Sequence, residues 1–124
     1  MSEKQIEAYK TVQKTVMSGR EIEASALTNA ANILKLIQDS WDAPGRGEVL
    51  HEALKFNQVL WSIFQAELAQ ADNPLPKELR ENILSLSAFV DKRIFEIMAY
   101  PSREKLTAII DINLNLAAGL RGEP

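Results

Sequence analysis

Three polar residues near the C-terminus, Asp111, Asn113 and Asn115, stand two apart within the stretch IIDINLNLAAGLRG at 109–122. Oxygen donors at that spacing open a calcium-binding EF-hand loop, which then needs glycine at its sixth position for a sharp turn and a bidentate glutamate at its twelfth. Counted from Asp111, those positions are Leu116 and Gly122, so the loop could neither turn nor close around an ion. A second candidate is Glu48 with His51, a Glu-x-x-His pair of the kind used by di-iron bundles. Such bundles need two of these motifs and two more inward-facing carboxylates, whereas the chain has 1 histidine. On a helical projection His51 falls on a polar face, and any Ser-His-Asp triad would have to use this same residue. No G-x-S-x-G elbow or glycine-rich phosphate loop is present. With 0 cysteines, thiolate metal sites, disulfides and cysteine nucleophiles drop out together. The residues thus lead to an expectation of no enzyme, no metal and no cofactor.

What remains is chemistry of binding. Asn57, Trp61 and Phe64 lie within one turn or two of each other, and Asn113 sits among apolar neighbours. Trp41 belongs to a loop-like segment, where a tryptophan either covers the end of a core or anchors a partner. A buried amide without a partner costs about 1–3 kcal/mol, so Asn57 and Asn113 must bond each other, the backbone or a bound peptide.

The elements that position these groups are helices. Glycine and proline concentrate in three breaks, WDAPGRG at 41–47, ADNPLP at 71–76 and YPS at 100–102. Ser2 with Gln5 and Ser18 with Glu21 each fit a capping box, Pro76 suits a first helical turn, and Ser102 suits a cap. Helices are therefore expected over about 3–16, 19–40, 47–70, 76–99 and 103–120. The short connections predict an all-α antiparallel bundle, four long helices plus a shorter N-terminal one, in a single domain spanning 1–124.

Projection at 100° per residue assigns faces. In the last helix Leu106, Ile109, Ile110, Leu116, Ala117 and Leu120 share one face around Asn113, while Asp111 and Asn115 lie opposite. The helix at 47–70 carries a broad apolar face, Val49, Leu50, Ala53, Phe56, Leu60, Trp61, Ile63, Phe64 and Leu68, around Asn57. Along 76–99 a core seam of Leu79, Ile83, Leu86, Val90, Ile94 and Ile97 is joined by a second ridge of Leu84, Ala88, Phe95 and Met98. That ridge calls for cover by the N-terminal helix (Ile6, Tyr9, Val12, Val16), by another copy, or by a partner helix laid into a groove. The helix at 19–40 is apolar over a wide arc, through Ile22, Ala26, Leu27, Ala30, Ile33, Leu34 and Ile37, as a central helix would be.

Composition sets limits on partners. Hydrophobic residues make up 46% and charged residues 25%, as in ordinary globular chains, and no apolar run approaches the ~18–20 residues that span a bilayer. The polar, mixed-charge start MSEKQIEAYK is unlike a signal peptide, so a cytoplasmic location without membrane insertion is expected. A net charge of −3 argues against a DNA binder and against direct contact with RNA, because phosphate neutralisation needs a clustered basic face. Lys92, Arg93, Arg103, Lys105 and Arg121 are scattered among acids, which leaves room for no more than a small local patch.

Five segments resemble the FlaF family of flagellar biosynthesis regulators. They are AYKTV (8–12), SGREIEASAL (18–27), ALKFNQVLWSIFQAEL (53–68), NPLPKELRENILSLSAFVD (73–91) and LTAIIDINLNLAAGL (106–120). The chain departs from the family pattern at Gly19, where proline is frequent. The resemblance implies a small cytoplasmic protein needed for flagellin synthesis and export, acting with flagellin and alongside or against an FlbT-type regulator of flagellin messenger RNA. Two functions follow as expectations. In the first, the protein is a flagellin chaperone whose partner-binding residues come from Trp41, Asn57, Trp61, Phe64, Leu84, Ala88, Phe95, Met98 and Asn113. In the alternative, it regulates the messenger through the FlbT-type protein or directly.

Overall fold

The computed structural model describes the backbone of residues 3–122 and the side chains of residues 20–122. Four α-helices follow one another: α1 (Glu3–Asp39), α2 (Arg46–Leu68), α3 (Lys77–Ala99) and α4 (Leu106–Leu120), with a 3-10 turn at Arg103–Lys105 leading into α4. The expected breaks at 71–76 and 100–102 fall between helices, and that at 41–47 does so up to Gly45, its last two residues opening α2. The expected break at Ser18 and Gly19 does not exist, because α1 runs through both as one helix of 37 residues. The fold is therefore four helices rather than four long ones plus a separate N-terminal helix. A glycine inside a helix costs only about 0.5–1 kcal/mol relative to alanine, against ~3 kcal/mol for proline, so Gly19 weakens α1 without ending it. A capping box has no effect where the backbone never leaves the helix. Ile6, Tyr9, Val12 and Val16, and the Ser2–Gln5 cap, lie outside the residues whose side chains are described.

The ends that do exist are set by backbone rather than side-chain caps. Gly45 opens α2 in the left-handed region (φ 77°) with no side-chain cap bond, a conformation glycine adopts without a Cβ penalty. Gly122, also at φ 77°, closes α4, its N–H bonding the Gly119 carbonyl at 3.1 Å. Ser102 is the N-cap of the 3-10 turn through its backbone, its carbonyl accepting from the Lys105 N–H at 3.2 Å, while its hydroxyl donates to the Glu104 carboxylate at 2.8 Å rather than to a backbone N–H. That bond holds the Glu104 carboxyl below its ordinary value.

The helices alternate in direction. Gln38, near the end of α1, donates to the Arg103 carbonyl and the Thr107 hydroxyl at the start of α4, both at 2.9 Å. At the far end Arg121 donates to the Thr28 hydroxyl at 3.1 Å and pairs with Glu21 at 3.8 Å. α1 packs most extensively on α4, then on α2; α3 packs on α2 and barely touches α4. Ala24, Leu27, Ala31 and Leu34 form the buried seam of α1, and small residues there let α4 approach through Ile109, Ile110 and Ala117. The face expected for α4 is observed, with Leu106, Ile109, Ile110, Asn113 and Ala117 buried and Asp111 and Asn115 exposed. Three expected faces are too wide. Ile22 and Ile33 of α1, Val49, Phe56 and Ile63 of α2, and Leu79 and Leu86 of α3 are all exposed, whereas Leu54 and Ser87 are buried in their place. Among the described residues no helix is long and apolar enough to cross a membrane.

Candidate functional site

The centre of the bundle holds a closed polar chain. Trp61 Nε1 donates to Asn113 Oδ1 at 3.0 Å, Asn113 Nδ2 donates to Asn57 Oδ1 at 2.6 Å, and Asn57 Nδ2 returns to the Ala53 carbonyl at 2.9 Å. All three side chains are fully buried. The amides therefore bond each other, the backbone and the Trp61 indole, and they tie α2 to α4 in one register. Ser87 on α3 accepts from Gln65 Nε2 at 2.7 Å, and the same amide nitrogen donates to Asp91 at 2.9 Å, which does for α2 and α3 what the asparagines do for α2 and α4.

Nothing comparable joins α3 to α4, and between them the surface is concave. Two cavities, of about 380 and 420 Å³, lie side by side along this seam and share Arg20, Leu75, Ile83, Leu116 and Leu120. The larger one runs between the helices and is walled by Leu79, Leu86 and Ile112, with Asn82 and Asn115 at its edges. The smaller reaches into the end of the bundle over Phe64 and Leu68. Each has the size of a binding site that holds apolar side chains or a small ligand. Leu79 and Leu86 are 44% and 39% exposed, because the helix that would cover them, α4, stands away from this half of α3.

Charge gathers at one end of the groove. The smaller cavity is rimmed by Glu23 of α1, Glu67 of α2 and Asp72 of the α2–α3 connection, with Arg20 as its only cation among the described residues. Burial first, and then the charge of Glu67 and a hydrogen bond with it, push the Glu23 carboxyl up to about 6 from its ordinary value of 4.5, against a smaller opposing pull from Arg20. Two carboxyls that approach this closely share a proton more readily than they both ionise.

A family model described as "Flagellar protein FlaF" matches residues 5–120. The chain belongs to the FlaF family. The match covers nearly all of α1 and the whole of α2, α3 and α4, so the groove and the central amide chain both lie inside the FlaF region. No curated protein and no solved structure matches the chain.

Within this FlaF fold the residues predicted to bind a partner are dispersed. Asn57, Trp61 and Asn113 come together, but in the interior, where they bond one another and offer no atom to the surface. Phe64 is buried beside Trp61, the ring centroids 5.9 Å apart, and forms part of the floor of the smaller cavity. Leu84 and Met98 of the second α3 ridge pack against the core, leaving Ala88 and Phe95 exposed, so only part of the ridge is open. Trp41 sits at the opposite end of the bundle, half-buried against the core, with the Arg46 guanidinium 4.1 Å over its ring and Arg46 Nε donating to its carbonyl at 3.3 Å. It is a lid. His51 and Glu48 are exposed, and no group of three His, Cys, Asp or Glu able to hold a metal occurs among the described residues.

Sequence reasoning missed the groove itself. Leu79 and Leu86 were assigned to the core seam because they continue its spacing, and Ile112 was not singled out. The one available signal was Glu23, an acid placed four residues before Leu27 on the buried face of α1, where a charge is out of keeping with its neighbours.

Proposed function

We propose that this protein is a non-enzymatic flagellin-binding chaperone that receives an amphipathic helix of flagellin in the α3–α4 groove and couples unexported flagellin to further flagellin synthesis. Membership of the FlaF family supports a flagellar role. The observation that carries the binding mode is the open apolar trough walled by Leu79, Leu86 and Ile112. A chaperone for a subunit that polymerises through amphipathic terminal segments must offer such a surface, and a helix laid in a hydrophobic groove is the recurring solution.

Gel filtration of the purified protein with flagellin, each at ~20 µM, tests this. A Kd in the low micromolar range or tighter gives a co-eluting complex at that concentration. Leu86→Glu is expected to abolish it while the variant keeps its helical spectrum. Two folded proteins that elute apart would remove the proposal. If the protein then retained an FlbT-type regulator instead, its action would pass to the messenger RNA.

A further inference from the structure

The groove is not electrically uniform. Its α3–α4 length is lined by aliphatic side chains and two amides, Asn82 and Asn115, with Arg20 standing where the two cavities meet and lining both. Its end at the α2–α3 connection carries three carboxylates, Glu23, Glu67 and Asp72, against one guanidinium, Arg20. Among the described residues, the charged groups that line the cavity with Glu23 are Arg20 on its own helix, Glu67 on α2 and Asp72 on the connection; α3 and α4 present Ile83, Leu116 and Leu120 there. Arg121 of α4 is engaged with Glu21 and Thr28 nearby and does not line the cavity.

We infer that the groove selects an amphipathic helix carrying a lysine or arginine at one end of its apolar face, and that this cation is seated between Glu23 and Glu67. The inference rests on the chaperone reading and adds to it the polarity and chemistry of the bound segment. Charge complementarity supports it directly. Glu23 is partly buried, Glu67 beside it is exposed, and among the described residues one cation, Arg20, lines their cavity; in the free protein Glu23 keeps its proton up to about pH 6. An arriving ammonium or guanidinium replaces that proton and gives both carboxylates a charge-assisted partner in a site already partly dry. Binding therefore releases a proton, and affinity rises with pH as Glu23 ionises. An aliphatic helix with no cation would fill the trough equally well but leave the pair unsatisfied, so the acidic end fixes which helix enters and in which direction.

The test is calorimetric titration of flagellin into the wild-type protein and into Glu23→Gln/Glu67→Gln, at pH 5.0 and 7.5, with Leu86→Glu and the charge-matched Glu48→Gln/Glu52→Gln as comparisons. The wild type is expected to bind about tenfold more tightly at pH 7.5 than at pH 5.0 and to release about half a proton near pH 6, rising towards one near pH 5, read from buffers of different ionisation heat. The Gln pair should bind about tenfold more weakly than wild type at pH 7.5, with the extra pH dependence and the proton release both lost. Glu48→Gln/Glu52→Gln, far from the groove, should match wild type. Equal affinity of wild type and the Gln pair at both pH values, with Leu86→Glu still inactive, overturns the cation seat and leaves the chaperone reading in place. No complex with wild type removes both. Concentration-dependent self-association that Leu86→Glu abolishes would give the groove to a second copy and overturn the inference as well.

Discussion

Trp61, Asn113 and Asn57 show how a single residue can be read as contact or as core until its partners are known. Each carries a polar group that must be answered, and each answer lies within the bundle, at 3.0, 2.6 and 2.9 Å. Asn113→Leu removes the acceptor of the Trp61 N–H and the donor to Asn57 at once, leaving two buried polar atoms unpaired. At about 1–2 kcal/mol each, the loss should be ~2–4 kcal/mol in a urea titration. Adding Asn57→Leu should recover part of that loss, because only the indole N–H then stays unpaired, and the non-additivity measures the coupling. Trp61→Ala opens a cavity and should cost ~3–5 kcal/mol, which would leave the bundle close to unfolded. Glu23 is a residue-scale case of the opposite kind, a group the fold does not satisfy. Its folded pKa, about 6, lies above its ordinary 4.5, so the folded state holds the proton more tightly than the unfolded chain. Its contribution to stability is greatest below pH 4.5 and declines as pH rises to about 6. Because the group still meets solvent, that decline is discounted to less than ~1 kcal/mol. Glu23→Gln should accordingly flatten the fall in Tm between pH 4.5 and 7, a few degrees at most in a calorimetric scan.

At the scale of elements, periodicity was a sound guide wherever an element buries one face and misleading where tertiary packing decides. α4 was legible because it packs closely on α1, so its apolar face is its buried face, down to Asn113 at the centre and Asp111 and Asn115 outside. α3 was not. Its apolar residues at 79, 83, 86, 90, 94 and 97 look like one seam, but the buried line is Ile83, Ser87, Val90, Ile94 and Ile97. Ser87 enters the core because Gln65 supplies its hydrogen bond from α2, a pairing invisible to any pattern of apolar residues. The displaced Leu86 then faces the groove, and no single sequence reveals that α4 stands off at that level. The N-terminal boundary failed for a similar reason: Ser18 and Gly19 have the chemistry of a helix start, but nothing forces the chain to leave the helix there. Gly45 is where the chain is forced to turn. An alanine at φ 77° carries the left-handed penalty, roughly 1–2 kcal/mol, although no neighbouring atom crowds its Cβ. Gly45→Ala should therefore lower the stability by that amount, seen as a lower urea midpoint with an unchanged slope of the transition, since the surface exposed on unfolding is unaltered.

For the whole molecule, the order of contact α4–α1–α2–α3 places two apolar surfaces back to back. One is the α3–α4 trough. The other is the outer side of the α1–α2 pair, where Ile22 and Leu36 of α1 and Val49, Phe56 and Ile63 of α2 are all exposed. Exposed apolar area alone would not choose between them, since surfaces of either kind mark interaction sites. Shape does: the trough encloses about 420 Å³ between two helices that barely meet, so a third helix can seat its side chains between α3 and α4. The α1–α2 side also has a hollow, about 410 Å³ over Ile22, Ala26 and Phe56, but it is shallower and more open to solvent, over helices already in firm contact. Charge points the same way, because carboxylates gather at one end of the trough. The two surfaces can be tested against each other with matched substitutions, Leu79→Lys in the trough and Ile63→Lys on the far side. Both positions are about half exposed, at 44% and 52%, so each change forgoes only part of a leucine-sized burial, on the order of 1 kcal/mol, and both variants should fold. In flagellin titrations Leu79→Lys should weaken binding at least about tenfold, by placing an ammonium where the partner's apolar face must lie, and Ile63→Lys should change it by less than about twofold. The reverse ranking would transfer flagellin to the α1–α2 side, and with it the need for a cation at the acidic end would vanish.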